Sequence, residues 1–273
     1  MAEQVWDNFS RLNAKDRFKA QSAEMGEAAT EALVAETQVG PGMRVLDVAC
    51  GSGEPSISIA TLLRGTGRVV GIDLASAAPQ VARERARQHG LDNVEFHQAD
   101  VHELPFADES FDRVTSRFGV MFFGDLAKAM SEIRRVLKPG GRVALLAWGA
   151  MTQPFFDTMV GTIVRARPEL EVPASGRAVF KFATPGTLGG TLGAAGFSKV
   201  EERMCEVNWD WHGTPEEVWD YFRGIAIPFQ PLLEKVANDT EVQQAVLGAL
   251  RERFDGEWVR FGAHVVNVSG IRE

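Results

Sequence analysis

The chain has 273 residues, 45% of them hydrophobic, and a formal net charge of -8. This length suits one large α/β domain with an elaboration. An acidic surface repels phosphate backbones, and the densest basic stretch, Arg83 to Arg87, predicts only a solvated helix face, which disfavours nucleic acid as a partner. The amino-terminal residues lack a secretory signal and no apolar run reaches membrane-spanning length, so we expect a cytoplasmic protein.

The first 40 residues are an amino-terminal segment of one or two predicted helices. Large apolar residues recur there near helical spacing and predict a shared buried face: Trp6, Phe9, Leu12 and Phe18. The run Gly40-Pro41-Gly42 ends the segment, because glycine and proline interrupt regular structure.

Residues 41–150 alternate apolar runs of strand length with segments of helical character. The predicted strands are Arg44–Ala49, Arg68–Ile72, Val94–Gln98, Phe111–Ser116 and Arg142–Trp148. The predicted helices are Pro55–Leu63, Ser76–His89 and Leu126–Leu137. Short apolar strands that alternate with helices predict a mostly parallel sheet covered on both faces, and right-handed crossovers make it doubly wound.

The pattern changes after Trp148. Residues 151–207 form a variable segment that ends in a predicted strand, residues 208–256 are predicted helices, and residues 257–273 hold a final strand, Trp258–Ile271. A helical insertion between the last two strands most simply forms a cap over the carboxyl edge of the sheet. We therefore predict one domain over residues 1–273 with a helical cap.

Acidic and glycine residues follow three successive predicted strands. The first strand carries Asp47 and ends in a turn with Gly51 and Gly53, which allow the backbone to approach a ligand closely. Asp73 ends the second strand, 22 residues after Gly51, where a carboxylate can accept both hydroxyls of a ribose. Asp100 follows the third strand and can accept from an exocyclic amine. Ligands bind at this edge of open α/β sheets.

These motifs carry a resemblance to a known family. The run Asp47–Gly53, followed by Asp73 and Asp100, resembles the successive cofactor motifs of class I S-adenosylmethionine-dependent methyltransferases. Two later runs, Leu104–Asp112 and Glu132–Gly141, resemble the branch that includes the ubiquinone and menaquinone C-methyltransferases. The resemblance is specific over roughly residues 40–150 and loose elsewhere.

The resemblance implies a Rossmann-like fold with seven strands, of which the last runs antiparallel to the others. It implies S-adenosylmethionine as cofactor and S-adenosylhomocysteine as product. Gly51 and Gly53 would pass under the methionine part, Asp73 would hold the ribose, and Asp100 the adenine amine. The remaining implied cofactor contacts are Asp47, on the amino group directly or through water, Val101 on the adenine ring, and Ala49, Leu74, Arg117 and Phe118.

One position departs from the family pattern. Glu54 follows the glycines where many members have small or polar residues. A negative charge there could repel the cofactor carboxylate, and we expect the side chain to point to solvent instead.

The acceptor is predicted to be a small, apolar or aromatic molecule. Phe122 and Trp148 follow the fourth and fifth strands, and Trp211 lies where the cap begins, so these aromatic residues are candidates to contact it. His212, in the cap, is a weak candidate for a catalytic base. The chain has two cysteines and no paired histidines at helical spacing, so we predict no metal site.

Two other functions remain open. A dinucleotide-dependent oxidoreductase shares the glycine turn and Asp73, but Ser56 stands at the spacing of its third glycine, and Asp47 and Asp100 lack a role there. A non-catalytic protein that binds S-adenosylmethionine, or an enzyme that modifies it, would keep the same motifs. The sequence does not identify the acceptor atom, and the amphipathic helices could also pack against a second subunit in a homo-oligomer.

Overall fold

A computed structural model describes residues 17–273, so the predicted helical positions Trp6, Phe9 and Leu12 lie outside the described residues. Within the described residues, two helices come first, α1 (Lys19–Met25) and α2 (Glu27–Thr37). Phe18 and Leu33 are buried, which agrees with the predicted apolar face of this segment.

The next segment has the predicted alternation of strands and helices. Its elements are β1 (Arg44–Val48), α3 (Ser56–Leu63), β2 (Arg68–Asp73), α4 (Ala78–Gln88), β3 (Val94–Gln98), β4 (Phe111–Arg117), α5 (Leu126–Val136) and β5 (Leu137–Trp148). Two later strands belong to the same sheet, β6 (Ser198–Val207) and β9 (Ala263–Ile271), and helix α9 (Thr187–Ala194) precedes β6. Strand residues of β1 and β2 are buried almost without interruption, as a sheet covered on both faces requires.

The sheet has seven strands in the order β3-β2-β1-β4-β5-β9-β6. The pairs β1–β2, β1–β4, β2–β3 and β4–β5 are parallel. β9 runs antiparallel to β5, because the amide of Gly140 donates to the carbonyl of Arg272 at 2.7 Å and the amide of Gly149 donates to the carbonyl of His264 at 2.8 Å. The predicted doubly wound, mostly parallel seven-stranded sheet is confirmed, and its strand order reverses beside β1.

The predicted strand Trp258–Ile271 is wrong in its extent. It divides into β8 (Trp258–Val259), which pairs with β7 (Trp211–His212) in a separate two-stranded sheet, and β9. The break coincides with a hydrogen bond and a glycine between the two strands. Asp210 accepts a hydrogen bond from the amide of Phe261 at 2.9 Å, and Gly262 takes a positive φ of 68°, so the chain turns before β9 begins.

β5 also begins earlier than predicted, at Leu137 instead of Arg142. Phe111 pairs with Leu137, and Arg113 pairs with Arg142, so the intervening four residues bulge out opposite Asp112. The Asp112 carboxylate holds the bulge through Lys138 Nζ at 2.7 Å.

Contacts divide the chain into two compact units, which we describe separately. The sheet unit consists of Thr30–Ala147, Thr184–Cys205 and Val266–Glu273, and the helical unit consists of the segment that ends at Ala29 together with Trp148–Ala183 and Glu206–Val265. The predicted organisation as one domain, and the position of the cap over the sheet, stay predictions.

The helical unit has an aromatic core. Its elements are α6 (Pro154–Phe156), a π-helical turn (Asp157–Gly161), α7 (Thr162–Ala166), α8 (Ala174–Ala178), α10 (Pro215–Ile225), α11 (Gln230–Lys235) and α12 (Thr240–Arg251). Phe155 and Phe156 are buried and meet Phe222 and Trp209 mostly edge to face, as aromatic side chains prefer. Thr214 and Glu217 form a capping box that starts α10.

Within residues 17–273, no helix combines the length and apolar composition that a membrane span requires. Among the same residues, no group of three or more histidine, cysteine, aspartate or glutamate side chains is arranged to hold a metal ion.

Candidate cofactor site

The glycine turn after β1 is held against the second strand. Gly51 has a positive φ of 54° and donates its amide to Asp73 Oδ2 at 2.8 Å. Gly53 has a φ of 112°, and a Cβ there would lie 2.8 Å from Ile57 Cδ1. The positive φ at residue 53 favours glycine, so the turn brings bare backbone to the carboxyl edge of the sheet.

Asp73 connects two of the predicted motifs. Besides the bond from Gly51, its Oδ1 accepts from the amide of Ala75 at 2.9 Å. Two backbone donors therefore orient the carboxylate at the end of β2, where the resemblance places the ribose hydroxyls.

Asp47 lies deeper than the resemblance implies. Its side chain has no exposed surface, and it accepts from Ser56 Oγ at 2.6 Å and Thr115 Oγ1 at 3.1 Å. Burial raises the pKa of this carboxyl group to about 7, although the hydrogen bonds from Ser56 and Thr115 and the charge of Arg117 act in the opposite direction. The observed role is to fix the start of α3 to β1 and β4, and the contact with the cofactor amino group stays a prediction.

Asp100 is paired with His102, two residues later in the chain. Its Oδ1 accepts from the amide of His102 at 2.9 Å and from the ring Nδ1 of His102 at 2.6 Å. Partial burial would raise the pKa of Asp100, but the hydrogen bonds from His102 outweigh it and hold that pKa below its ordinary value. Val101, the predicted adenine contact, is buried.

The prediction that Glu54 points to solvent is wrong. The side chain is only 16% exposed, forms an ion pair with Arg85 Nη2 at 3.1 Å and accepts from Ser58 Oγ at 2.7 Å. Arg85 also donates to the carbonyl of Ser52 at 2.6 Å. The ion pair with Arg85 thus neutralises the Glu54 charge within the glycine turn. Arg85 stabilises the turn, and the prediction that it lies on a solvated helix face is wrong.

The end of β4 approaches the glycine turn closely. Arg117 Nη1 donates to Thr30 Oγ1 at 2.6 Å, and Phe118 takes a positive φ of 57° while its amide donates to the carbonyl of Leu146 at 2.8 Å. A Cβ on the next residue, Gly119, would lie 2.5 Å from Ala49 Cβ. Gly119 was not predicted from the sequence. The only local indication is that this glycine directly follows Arg117 and Phe118, the predicted contacts after the fourth strand.

Comparisons with known proteins agree with this geometry. A methyltransferase-domain family profile matches residues 40–160. An uncharacterized protein of Mycobacterium tuberculosis is 34% identical over 223 residues, which cover 81% of this chain and 76% of that protein. The demethylmenaquinone methyltransferase of Staphylococcus aureus is 36% identical over 159 residues, 58% of this chain and 65% of the enzyme.

The chain belongs to the class I S-adenosylmethionine-dependent methyltransferases. Its cofactor is S-adenosylmethionine, and its resemblance to the ubiquinone and menaquinone branch is confirmed. A solved structure of phosphoethanolamine N-methyltransferase 2 from Haemonchus contortus, in complex with phosphomonomethylethanolamine and S-adenosylhomocysteine, has the same fold. The alignment of the two structures covers 100% of this chain and 60% of the other chain, with a TM-score of 0.63 and 18% sequence identity.

The close approach at Gly119 gives the methyltransferase a testable feature. We expect Gly119→Ala to lower the free energy of unfolding by about 1 to 3 kcal/mol, because the new methyl group would overlap Ala49 Cβ and the buried Ser116 hydroxyl, 2.6 Å away. The matched control is Gly124→Ala in the same loop, where a Cβ meets nothing within 4 Å. Thermal melting of both variants should show a fall on the order of 5 °C for the first only. Equal melting temperatures would contradict the contact.

The three candidate acceptor contacts lie in different surroundings. Phe122 ends a short 3-10 turn (Val120–Phe122) of the sheet unit and is 39% exposed. Trp148 is nearly buried and packs edge to face on Trp209 at 4.8 Å in the helical unit. Trp211 is fully buried against Phe18, so it is a core residue, and its burial does not support the predicted contact with the acceptor.

His212, the candidate base, has two carboxylate neighbours. It lies in the two-stranded sheet of the helical unit, with its ring stacked on Trp258 at 4.4 Å. Nδ1 lies 3.3 Å from Glu24 and Nε2 lies 3.5 Å from Glu257, so both ring nitrogens already face carboxylates. These contacts account for both ring nitrogens within the helical unit, and the role of His212 as a base stays a prediction.

Proposed function

We propose that this methyltransferase transfers the methyl group of S-adenosylmethionine to a small, apolar or aromatic molecule by in-line displacement. The observation that carries the cofactor part is the convergence of the glycine turn, Asp73 and Asp100 at the carboxyl ends of β1, β2 and β3. The small acceptor is supported by the net charge of -8, which disfavours nucleic acid, and by the exposed aromatic ring of Phe122.

The residues at this edge suit the cofactor group by group. Asp73, oriented by two amides, would hold the ribose hydroxyls, and Asp100 would take the adenine amine. Gly51 and Gly53 present backbone without a Cβ to the methionine part, and Asp47 keeps that turn in place through Ser56. The contacts that complete the proposed site are Ala49, Leu74, Val101, Arg117 and Phe118.

The chemistry asks little of the protein beyond positioning. The sulfonium cofactor supplies an already activated methyl group, so the residues of this chain must orient the acceptor in line and exclude water. Because both ring nitrogens of His212 face carboxylates, we propose an acceptor that does not depend on His212 as its base. Demethylmenaquinone, named for the Staphylococcus aureus relative, gives a first class of aromatic acceptors to screen.

The first experiment compares the melting temperature of the protein alone, with S-adenosylhomocysteine and with NAD. A ligand at 100 times its dissociation constant adds about 2.7 kcal/mol, which at this chain length is a rise of roughly 5 to 10 °C. We expect that rise with S-adenosylhomocysteine only. No rise at saturating ligand, confirmed by calorimetry, would contradict the proposed site.

A second experiment separates transfer from binding. Aromatic acceptors are added with S-adenosylmethionine, and the formation of S-adenosylhomocysteine is measured with and without each acceptor. Acceptor-dependent product supports the proposed transfer. Tight cofactor binding without such product from any aromatic, amine or thiol acceptor would favour the non-catalytic binding protein instead.

A further inference from the structure

His102 joins the end of β3 to the start of α5. Its ring Nδ1 lies 2.6 Å from Asp100 Oδ1, and its Nε2 lies 3.1 Å from the amide nitrogen of Asp125. A carboxylate can only accept and an amide nitrogen can only donate, so Nδ1 carries the proton and Nε2 accepts. One neutral imidazole therefore bridges two segments that are 23 residues apart in the chain.

The Asp100 end of this bridge leaves one oxygen for a ligand. Oδ1 already accepts from the amide and the ring of His102, while Oδ2 accepts no hydrogen bond from residues 17–273. The Asp100 side chain is 49% exposed, so Oδ2 is accessible to an exocyclic amine. Its direction depends on the imidazole, because rotation of the carboxylate would break the 2.6 Å bond.

The other end of the bridge is the loop that carries the candidate acceptor contact. Asp125 is the N-cap of α5, where its carboxylate accepts from the amide of Lys128 at 3.0 Å. Phe123 meets the His102 ring edge to face at a centroid distance of 6.5 Å. The imidazole thus contacts the loop 122–125 through both a backbone donor and an aromatic ring, directly beside Phe122.

We propose that His102 is a positioning residue that couples the occupied adenine site to the loop 122–125, so that bound cofactor sets the geometry of the acceptor contact. The inference rests on the proposed function, which gives the amine to Asp100 and the acceptor to Phe122. A ligand amine on Oδ2 fixes the carboxylate, the carboxylate fixes the ring, and the ring restrains the Asp125 amide. Such a coupling is reciprocal, so an ordered loop also favours cofactor binding.

The test measures hydrogen exchange at the Asp125 amide, which is itself the donor to His102. In the parent protein, saturating S-adenosylhomocysteine should slow this exchange about fivefold or more. In His102→Asn, the shorter amide keeps a donor near the position of Nδ1 and does not reach Asp125. We expect this variant to bind S-adenosylhomocysteine about fivefold more weakly than the parent, as the reciprocal coupling requires, while the ligand no longer slows exchange.

Two further variants complete the design. His102→Gln reaches towards Asp125 and loses the bond to Asp100, so it too should bind the ligand without the slowing, and it serves if His102→Asn does not fold. His97→Ala removes an exposed histidine that pairs only with Glu95 among the described residues, and it should behave as the parent.

The outcomes are distinct. Equal slowing in the parent and in either His102 variant would overturn the coupling, as would an unchanged exchange rate in a parent that calorimetry shows to be saturated. If calorimetry detects no binding of S-adenosylhomocysteine to the parent, the proposed cofactor site itself fails, and the coupling fails with it.

Discussion

The free energy of unfolding of the parent protein should fall as the pH rises from about 4 to about 7, and Asp47→Asn should lack this fall. The ordinary pKa of this carboxyl group is 3.8, and burial raises it to about 7 in the folded protein. Between those values the folded state binds the proton and the unfolded state releases it, so the free energy of unfolding falls with increasing pH. The full difference is on the order of 4 kcal/mol.

The measurement is the free energy of unfolding in urea as a function of pH. The asparagine keeps an oxygen that can accept from Ser56 or Thr115, and it has no group that titrates in this range. Its free energy of unfolding should therefore not fall between pH 4 and 7 for this reason. Asp112→Asn is the control, because hydrogen bonds from Arg44 and Lys138 outweigh partial burial and lower the pKa of Asp112. The Asp112 carboxylate stabilises the folded protein above its unfolded pKa, and this stabilisation is lost only on acidification below that value. The fall in the free energy of unfolding from pH 4 to 7 should therefore remain in Asp112→Asn. Identical slopes in Asp47→Asn and the parent would show that Asp47 is charged in the folded protein throughout.

Asp73→Ala should weaken the binding of S-adenosylhomocysteine by about 30- to 150-fold. The substitution removes a charge-assisted pair of hydrogen bonds to the ribose, which is worth on the order of 2 to 3 kcal/mol. It also releases the amide of Gly51, now 2.8 Å from Asp73 Oδ2, so the glycine turn loses its anchor on β2. Calorimetric titration of parent and variant gives the ratio directly.

Two controls separate these contributions. Asp73→Asn keeps one acceptor oxygen and removes the charge, and it should lie between the parent and the alanine variant in affinity. Asp92→Ala, on an exposed residue before β3, changes the net charge of the protein by the same amount and should bind as the parent does. Parent-like affinity of Asp73→Ala would mean that the ribose is held elsewhere.

The strand ends were predictable because their signals are local. Asp47 lies in a run of strand length, Asp73 ends one and Asp100 follows one, and parallel strands bring their carboxyl ends to one edge whatever the details of packing. The number of strands and the antiparallel direction of the last one were expected from the family resemblance, whereas the order of the strands comes from the structure.

The errors concern partners that are distant in the chain. Glu54 is neutralised by Arg85, 31 residues away, and nothing in either local pattern distinguishes that pair from two solvated charges. The division of the last strand depends on Asp210, which lies 51 residues before Phe261. Propensity and periodicity describe neighbours in sequence, so such contacts are visible only in the folded chain.

The aromatic residues show a second limit of prediction from sequence, which is that core residues and pocket residues look alike. Phe155, Trp209 and Trp211 have the size and apolarity of pocket walls, but all three are buried in the helical unit. Composition cannot separate a core from a cavity, because both select large apolar side chains. His212 was a candidate on its chemistry alone, and its two carboxylate neighbours come from residues far from it in sequence or across the β7–β8 pair.

The discontinuous make-up of the two units limits what protein engineering can exchange. The chain passes from one unit to the other at five points, after Ala29, Ala147, Ala183, Cys205 and Val265. The second, fourth and fifth of these points fall inside β5, β6 and β9. No single cut releases either unit as a continuous fragment, and a chimera with a relative would need five matched junctions, three of them within strands of the sheet. Altering acceptor preference in this scaffold is therefore a matter of point substitutions and not of swapping a cassette.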